Sequence, residues 1–175
     1  MYEGLTKTPF VRNGHVLVIG SENPWLEACA LAAGARLVTT LEYGDITSLH
    51  PQIKTLTPQR MRELYAAREI PLFDAVATFS SVEHSGLGRY GDAMNPWGDL
   101  QATARAWCLA KPGAGLLLGV MTVYDGTDGR IEFNAHRVYG TLMFSHLLSN
   151  WRQKWRSALN YGQRVHVMEK IPALD

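Results

Sequence analysis

The stretch His15-Val16-Leu17-Val18-Ile19-Gly20-Ser21-Glu22-Asn23-Pro24-Trp25 constrains this chain more than any other. Four aliphatic residues run into a glycine, a polar turn and a proline. An all-apolar strand is one covered on both faces, as in a parallel sheet. The glycine lets backbone approach closely, and the proline opens a helix because its missing N–H would have no partner there. A second strand, 36–41, ends in Glu42, 22 positions beyond Gly20. Strand, glycine turn, helix, strand and acid form the front half of a Rossmann-like fold.

The remaining elements follow the same alternation. A helix through Leu26 to Ala32 is expected to stop at Gly34, with Ser21 or Asn23 as its cap. Residues 53–56 suit a short third strand, and Thr57-Pro58 caps and opens another helix. Residues 73–79 and 115–121 read as strands, separated by a long polar segment (80–98) and a helix over 100–109. Lys111-Pro112-Gly113 and 125–129 read as turns. A helix is expected over 142–155, with Trp151 inward, and an antiparallel edge strand over 163–169. Strands alternating with helices predict an α/β Rossmann-like three-layer sandwich with a mostly parallel sheet, as one domain over residues 1–175.

Composition then excludes whole classes of function. The net charge of +1 offers no electrostatic footprint for nucleic acid or an anionic membrane. The first dozen residues lack the apolar core of a signal peptide, and no run approaches the roughly 18 apolar residues of a membrane span. The expected compartment is the cytoplasm, and a homo-oligomer is left open. Cys29 and Cys108 lie in apolar helical surroundings without paired spacing, as buried free thiols do.

In such a sheet, ligands bind beyond the carboxyl ends of the strands. The turn after the first strand has one glycine where a dinucleotide site uses three, and Glu22 would repel a diphosphate. NAD, FAD and a P-loop nucleotide are therefore disfavoured, while an adenosine without phosphate is tolerated. Glu42 is placed to accept from two ribose hydroxyls. S-adenosyl-L-methionine (SAM) fits both observations, with Gly20, Ser21, Glu22, Glu42 and Tyr43 as its contacts. Its sulfonium cation suits acids and the aromatic faces of Tyr43 or Trp25.

The segments 81–98 and 131–140 carry more hydrogen-bonding capacity than a loop needs for itself, and are expected to meet above the sheet. His84 and His136 are candidate general bases, since imidazole titrates near neutrality. Arg89, Tyr90, Asp92, Asn95, Asn134 and Arg137 are candidate acceptor-binding residues, an arginine holding an anionic group. No ligand spacing argues for a metal at His84, Asp92 and His136.

The segment from Phe73 to His84 (FDAVATFSSVEH) resembles the fourth strand of class I SAM-dependent methyltransferases and the Glu-His that follows it. The run LAKPGAGLLL, Leu109 to Leu118, resembles their turn into strand five. The resemblance implies that Ser81, Val82 and Glu83 lie near the cofactor. Three longer motifs, VIGSE at 18–22, SVEHSGLGRYGD at 81–92 and IEFNAHRVYG at 131–140, resemble a domain-of-unknown-function family first catalogued in nematode proteins. The function these readings imply is SAM-dependent methyl transfer to a small or sugar-like molecule. A non-catalytic binding or assembly module on the same fold, or a nucleotide-sugar-modifying enzyme, are the alternatives.

Overall fold

A computed structural model describes residues 1–123, 128–158, 160 and 162–172. The turn expected at 125–129 falls mostly outside them. In chain order the elements are α1 (Tyr2–Lys7), β1 (His15–Ile19), α2 (Trp25–Ala32), β2 (Leu37–Leu41), β3 (Ile53–Leu56), α3 (Pro58–Ala66) and β4 (Phe73–Phe79). A single 3-10 turn, Val82–His84, follows. Then come α4 (Gly98–Leu109), β5 (Ala110–Met121), the short pair β6 (Arg130–Ile131) and β7 (Arg137–Val138), α5 (Thr141–Leu147), β8 (Trp151–Arg156) and β9 (Gln163–Lys170).

Seven strands form one sheet in the order β3-β2-β1-β4-β5-β9-β8. The five from β3 to β5 are parallel, and β9 and β8 run antiparallel. The α/β Rossmann-like architecture is the expected one. Successive residues of the central strands point to opposite faces, so each face has its own apolar layer. Leu17, Val76, Leu116, Leu118 and Val120 pack on one side with Ala106 and Leu109 of α4 and Leu147 of α5. Val16, Val18, Ala75, Ala77 and Leu117 pack on the other with Leu26 and Ala30 of α2 and Leu5 of α1. The chain leaves β1 towards β2 and β3 and leaves β4 towards β5. The order therefore reverses between β1 and β4, the place where sheets of this kind form a ligand crevice beyond the strand ends.

Four local expectations are corrected. First, the helix expected over 142–155 ends at Leu147, and Trp151–Arg156 is strand β8. Trp151 and Trp155 are four apart, as on one face of a helix. The β8–β9 register slips between Gln153 and Trp155, and this bulge sends Trp151 to the α4 side of the sheet and Trp155 to the α1 side. Second, β9 is an interior strand. The edge falls to β8, whose Arg152, Lys154 and Arg156 face solvent, a charged rim of the kind that discourages edge pairing. Third, the turn at 111–113 is a wide bulge inside β5: Phe73 pairs with Ala110 and Ala75 with Gly115. Fourth, neither Ser21 nor Asn23 caps α2. Thr57 does cap α3, accepting from the Arg60 N–H at 3.2 Å.

Cys108 is exposed and Cys29 half-buried, both as free thiols. The polar N-terminal segment holds α1, whose Gly4 lies so close to Leu117 and Val165 that a Cβ would collide with them. No helix among the described residues is long and apolar enough to cross a membrane.

Candidate functional site

The first wall of the crevice is the turn after β1. Gly20 has φ +70°, and a Cβ there would overlap the Ser81 hydroxyl after β4. The two turns therefore touch, and only glycine fits the first. Ser21 is buried, and its hydroxyl is shared between the Asn23 carbonyl at 2.7 Å and Glu27 Oε2 at 2.8 Å. Glu27 Oε1 accepts from the Thr40 hydroxyl of β2 at 2.6 Å. A buried carboxylate in the first turn of α2 thus ties the ends of β1 and β2 together. Sequence reading passes over Glu27, because an acid in an apolar helix looks like a solvated position.

The second wall is the end of β2. Glu42 is half-buried, and its Oε1 accepts from the Tyr43 N–H at 2.7 Å. Its second oxygen has no partner among the described residues. Tyr43 and Glu22 are exposed. Trp25 is partly exposed and packs edge-on against Phe79, with ring centroids 5.4 Å apart. Beside Glu42, a cavity of about 260 Å³ is lined by Gly44, Asp45, Ile46, Thr55, Leu56, Thr57 and Arg60.

The third wall comes from the two polar loops, which do meet. The Nδ1 of His84 is 2.7 Å from the Ala135 carbonyl, and Arg89 Nη1 donates to the Asn134 carbonyl at 3.1 Å. A carbonyl only accepts, so Nδ1 carries the proton and Nε2 keeps its lone pair. Burial holds His84 below the ordinary imidazole pKa, and the neighbouring His136 and Arg89 push the same way. His84 therefore stays neutral at pH 7. Its ring meets Tyr90 and His136 edge-on at 5.5 and 5.7 Å. His136 Nε2 is 3.5 Å from Glu132 Oε2, within ion-pair reach but outside hydrogen-bond geometry.

The other candidates divide sharply. Asp92 accepts from the Gly86 and Tyr90 N–H groups, and Asn95 is used at both ends, by Gln101 and Trp97. Arg137 is buried, donating to the Ser85, Pro96 and Glu83 carbonyls at 2.7, 3.1 and 3.4 Å, with Nε 3.5 Å from Asp99 Oδ2. These three hold the loops in shape. Arg89, Tyr90 and the Asn134 side chain remain on the exposed surface.

Below them lies a polar group that sequence reading reaches only in part. Tyr139 donates to Asp99 Oδ2 at 2.9 Å, and burial with the Asp99 charge drives its phenol far above its usual pKa. Glu83 is fully buried, and neither carboxyl oxygen is in hydrogen-bond geometry with any described group. Burial pushes its pKa up to about 7; the nearby Ser80 hydroxyl and the backbone of Met121 and Ser81 offset this only in part. Val82 is equally buried, as part of the apolar layer. Glu83 and Val82 therefore lie beneath the crevice floor. No cluster of three or more His, Cys, Asp or Glu that could hold a metal occurs among the described residues.

A family model described as "Caenorhabditis protein of unknown function, DUF268" matches residues 13–165. A search of the curated proteins finds no match. Among solved structures, the chain is similar to the Burkholderia thailandensis 1,6-didemethyltoxoflavin-N1-methyltransferase, solved with 1,6-didemethyltoxoflavin and S-adenosylhomocysteine bound. The TM-score is 0.66 at 16% identity, over 92% of this chain and 72% of that one. It is also similar to a SAM-dependent methyltransferase of Mesorhizobium loti, with a TM-score of 0.60 at 10% identity over 96% of both chains. An O-methyltransferase family protein of B. thailandensis matches with a TM-score of 0.65 at 12% identity, over 98% of this chain and 55% of that one. At these identities the likeness establishes a methyltransferase fold.

Proposed function

For a chain that belongs to the DUF268 family and has a methyltransferase fold, we propose SAM-dependent methyl transfer to a small or sugar-like acceptor. The observation that carries this reading is the reversal of strand order between β1 and β4 and the turns that meet there. There the Gly20 and Ser81 turns touch, and the Glu42 oxygen that has no partner among the described residues stands at the neighbouring strand end. The residues fit an adenosine without phosphate: one glycine, no cradle for a diphosphate, and an acid for the ribose. They also fit a cation, since the Glu83 carboxyl group, without a partner among the described residues, lies buried beneath the floor. When bound, SAM supplies an electrophilic methyl group on a positively charged sulfur.

Everything else belongs to the chain. Glu42 accepts from a ribose hydroxyl, and Trp25 and Tyr43 cover the adenosine. Arg89, Tyr90 and Asn134 receive the acceptor at the mouth of the crevice. His84 Nε2 takes the proton from an acceptor hydroxyl, because its tautomer is fixed by Ala135. Arg137, Asp92 and Asn95 hold the loops that position these groups, and positioning is most of what methyl transfer asks of a protein.

The test is thermal melting with SAM, with S-adenosylhomocysteine (SAH) and with NAD. A ligand at a hundred times its dissociation constant stabilises by about 2.7 kcal/mol, so the melting point should rise by several degrees with the first two and stay put with NAD. Absence of any shift with SAM and SAH would sink the proposal. The Glu42→Ala variant should lose most of the shift; an unchanged shift refutes the ribose role alone. The single-glycine turn and exposed Glu22 favour a second reading, a binding module that keeps the fold without turnover.

A further inference from the structure

The Glu83 carboxyl group is the most costly unexplained feature of the molecule. It is fully buried and neither oxygen has a hydrogen-bond partner among the described residues. A buried polar group in that state is destabilising unless something completes it. The Thr78 and Thr122 hydroxyls, at the ends of β4 and β5, are buried without partners as well.

Several of the groups around Glu83 are engaged elsewhere. On α4, Asp99 is held by Arg137 and the Tyr139 hydroxyl. Beyond β5 on the sheet, β9 carries Arg164 and His166, and burial keeps His166 neutral at pH 7. The guanidinium of Arg137 is taken up by Asp99 and three carbonyls, one of them the backbone carbonyl of Glu83 itself. His84, next in the chain, points its Nδ1 to Ala135, with His136, Tyr90 and Arg89 around it. Among the described residues no hydrogen bond or ion pair joins a cation to the Glu83 carboxyl group, and the Arg164 Nε on β9 is likewise buried without a partner.

A cation is what the proposed ligand would bring. With a ribose held at Glu42 on β2, a ligand extending along the strand order β2-β1-β4 would bring its sulfur toward the turn at Ser81. Glu83 is two residues on, with Ser80 and the backbone of Ser81 and Met121 nearby.

We propose that Glu83 is a proton-exchanging counter-charge beneath the crevice: it releases its proton to solvent when a sulfonium is bound and recovers it when the ligand is the neutral thioether. This inference rests on the SAM reading and adds to it. It makes the site tell cofactor from by-product by charge, holding SAM more tightly relative to SAH as pH rises. Because Glu83 titrates near neutrality, the exchange falls in the working range of pH.

Calorimetric binding of SAM and SAH at pH 6, 7 and 8 decides the matter. The sulfonium lowers the pKa of SAM's own α-amino group relative to that of SAH, so the amino titration of each free ligand is measured separately and subtracted. If the sulfonium lowers the Glu83 pKa by one unit, the SAM-to-SAH affinity ratio rises roughly fivefold from pH 6 to pH 8. Repeating the pH 7 titration in buffers of different ionisation enthalpy should show proton release with SAM and little with SAH. In Glu83→Gln the SAM profile should collapse onto that of SAH. If that variant does not fold, the proton count on the unaltered protein decides alone. Parallel pH profiles and equal proton counts for the two ligands would overturn this inference and leave the SAM reading standing. Failure of both ligands to bind at any pH would overturn the SAM reading, and this inference with it.

Discussion

At the scale of single residues, the chain spends its charged side chains on holding loops. Arg137 is the strongest case. Replacing it with Met strands the Asp99 carboxylate in the core and frees three carbonyls, so the loss should be about 3–5 kcal/mol. Lysine should not rescue it, because an ammonium cannot span that fork. Urea unfolding of R137M and R137K reads both; a loss under about 1 kcal/mol would contradict the burial argument. Gly20, Ser21 and Glu42 were legible in the sequence, since a strand end followed by glycine, and an acid one strand later, mark positions in the fold. Glu27 and Asp99 were not. Their roles depend on who sits opposite after folding: Thr40 and Ser21 for one, Arg137 and Tyr139 for the other. Asp92, Asn95 and Arg137 were visible as polar residues. That they bind their own loops rather than face the acceptor follows from contacts 6 to 52 positions away in the chain.

At the scale of elements, β1, β3 and β4 fall where the sequence places them, and β2 starts one residue later. Their apolar runs are short and bounded by turns. The C-terminal third is less legible because two periodicities coincide. A four-residue spacing of tryptophans belongs to a helix face or to a strand with one extra residue, and only the partner strand decides between them. The α1 segment is short and mixed, and its one fully buried large side chain, Leu5, joins an apolar layer that includes Leu117, Val165 and Val167, over a hundred residues away. Leu5→Ala should therefore cost about 2–5 kcal/mol, read as a lower denaturant midpoint with unchanged slope. An effect below about 0.5 kcal/mol would show that α1 is dispensable to the core.

At the scale of the whole molecule, pH sets opposing demands. Burial lowers the pKa of His15 and His166 to about 4. Their neutral forms favour the fold above the unfolded value of about 6.5, and that contribution is lost as pH falls through 4. Glu83 has the opposite sign. Its pKa is raised to about 7, so its contribution is complete below the unfolded value of about 4.3 and is lost as pH rises through 7. Two groups against one predict stability that climbs from pH 4 to 6.5 and then declines slightly. Glu83→Gln should remove the decline and gain on the unaltered protein between pH 5 and 8. Denaturant melts across that range check both slopes. The topology that brings β1, β2 and β4 to one crevice was legible from the alternation of strands and helices, because right-handed crossovers leave few other orders. The central claim is that SAM lies across those three strand ends. Photolabelling with methyl-tritiated SAM, followed by peptide mapping, tests it most directly. Label removed by excess SAH and confined to residues 20–43 and 79–84 is the predicted result. Label that SAH does not displace, or that falls on other segments, would contradict it.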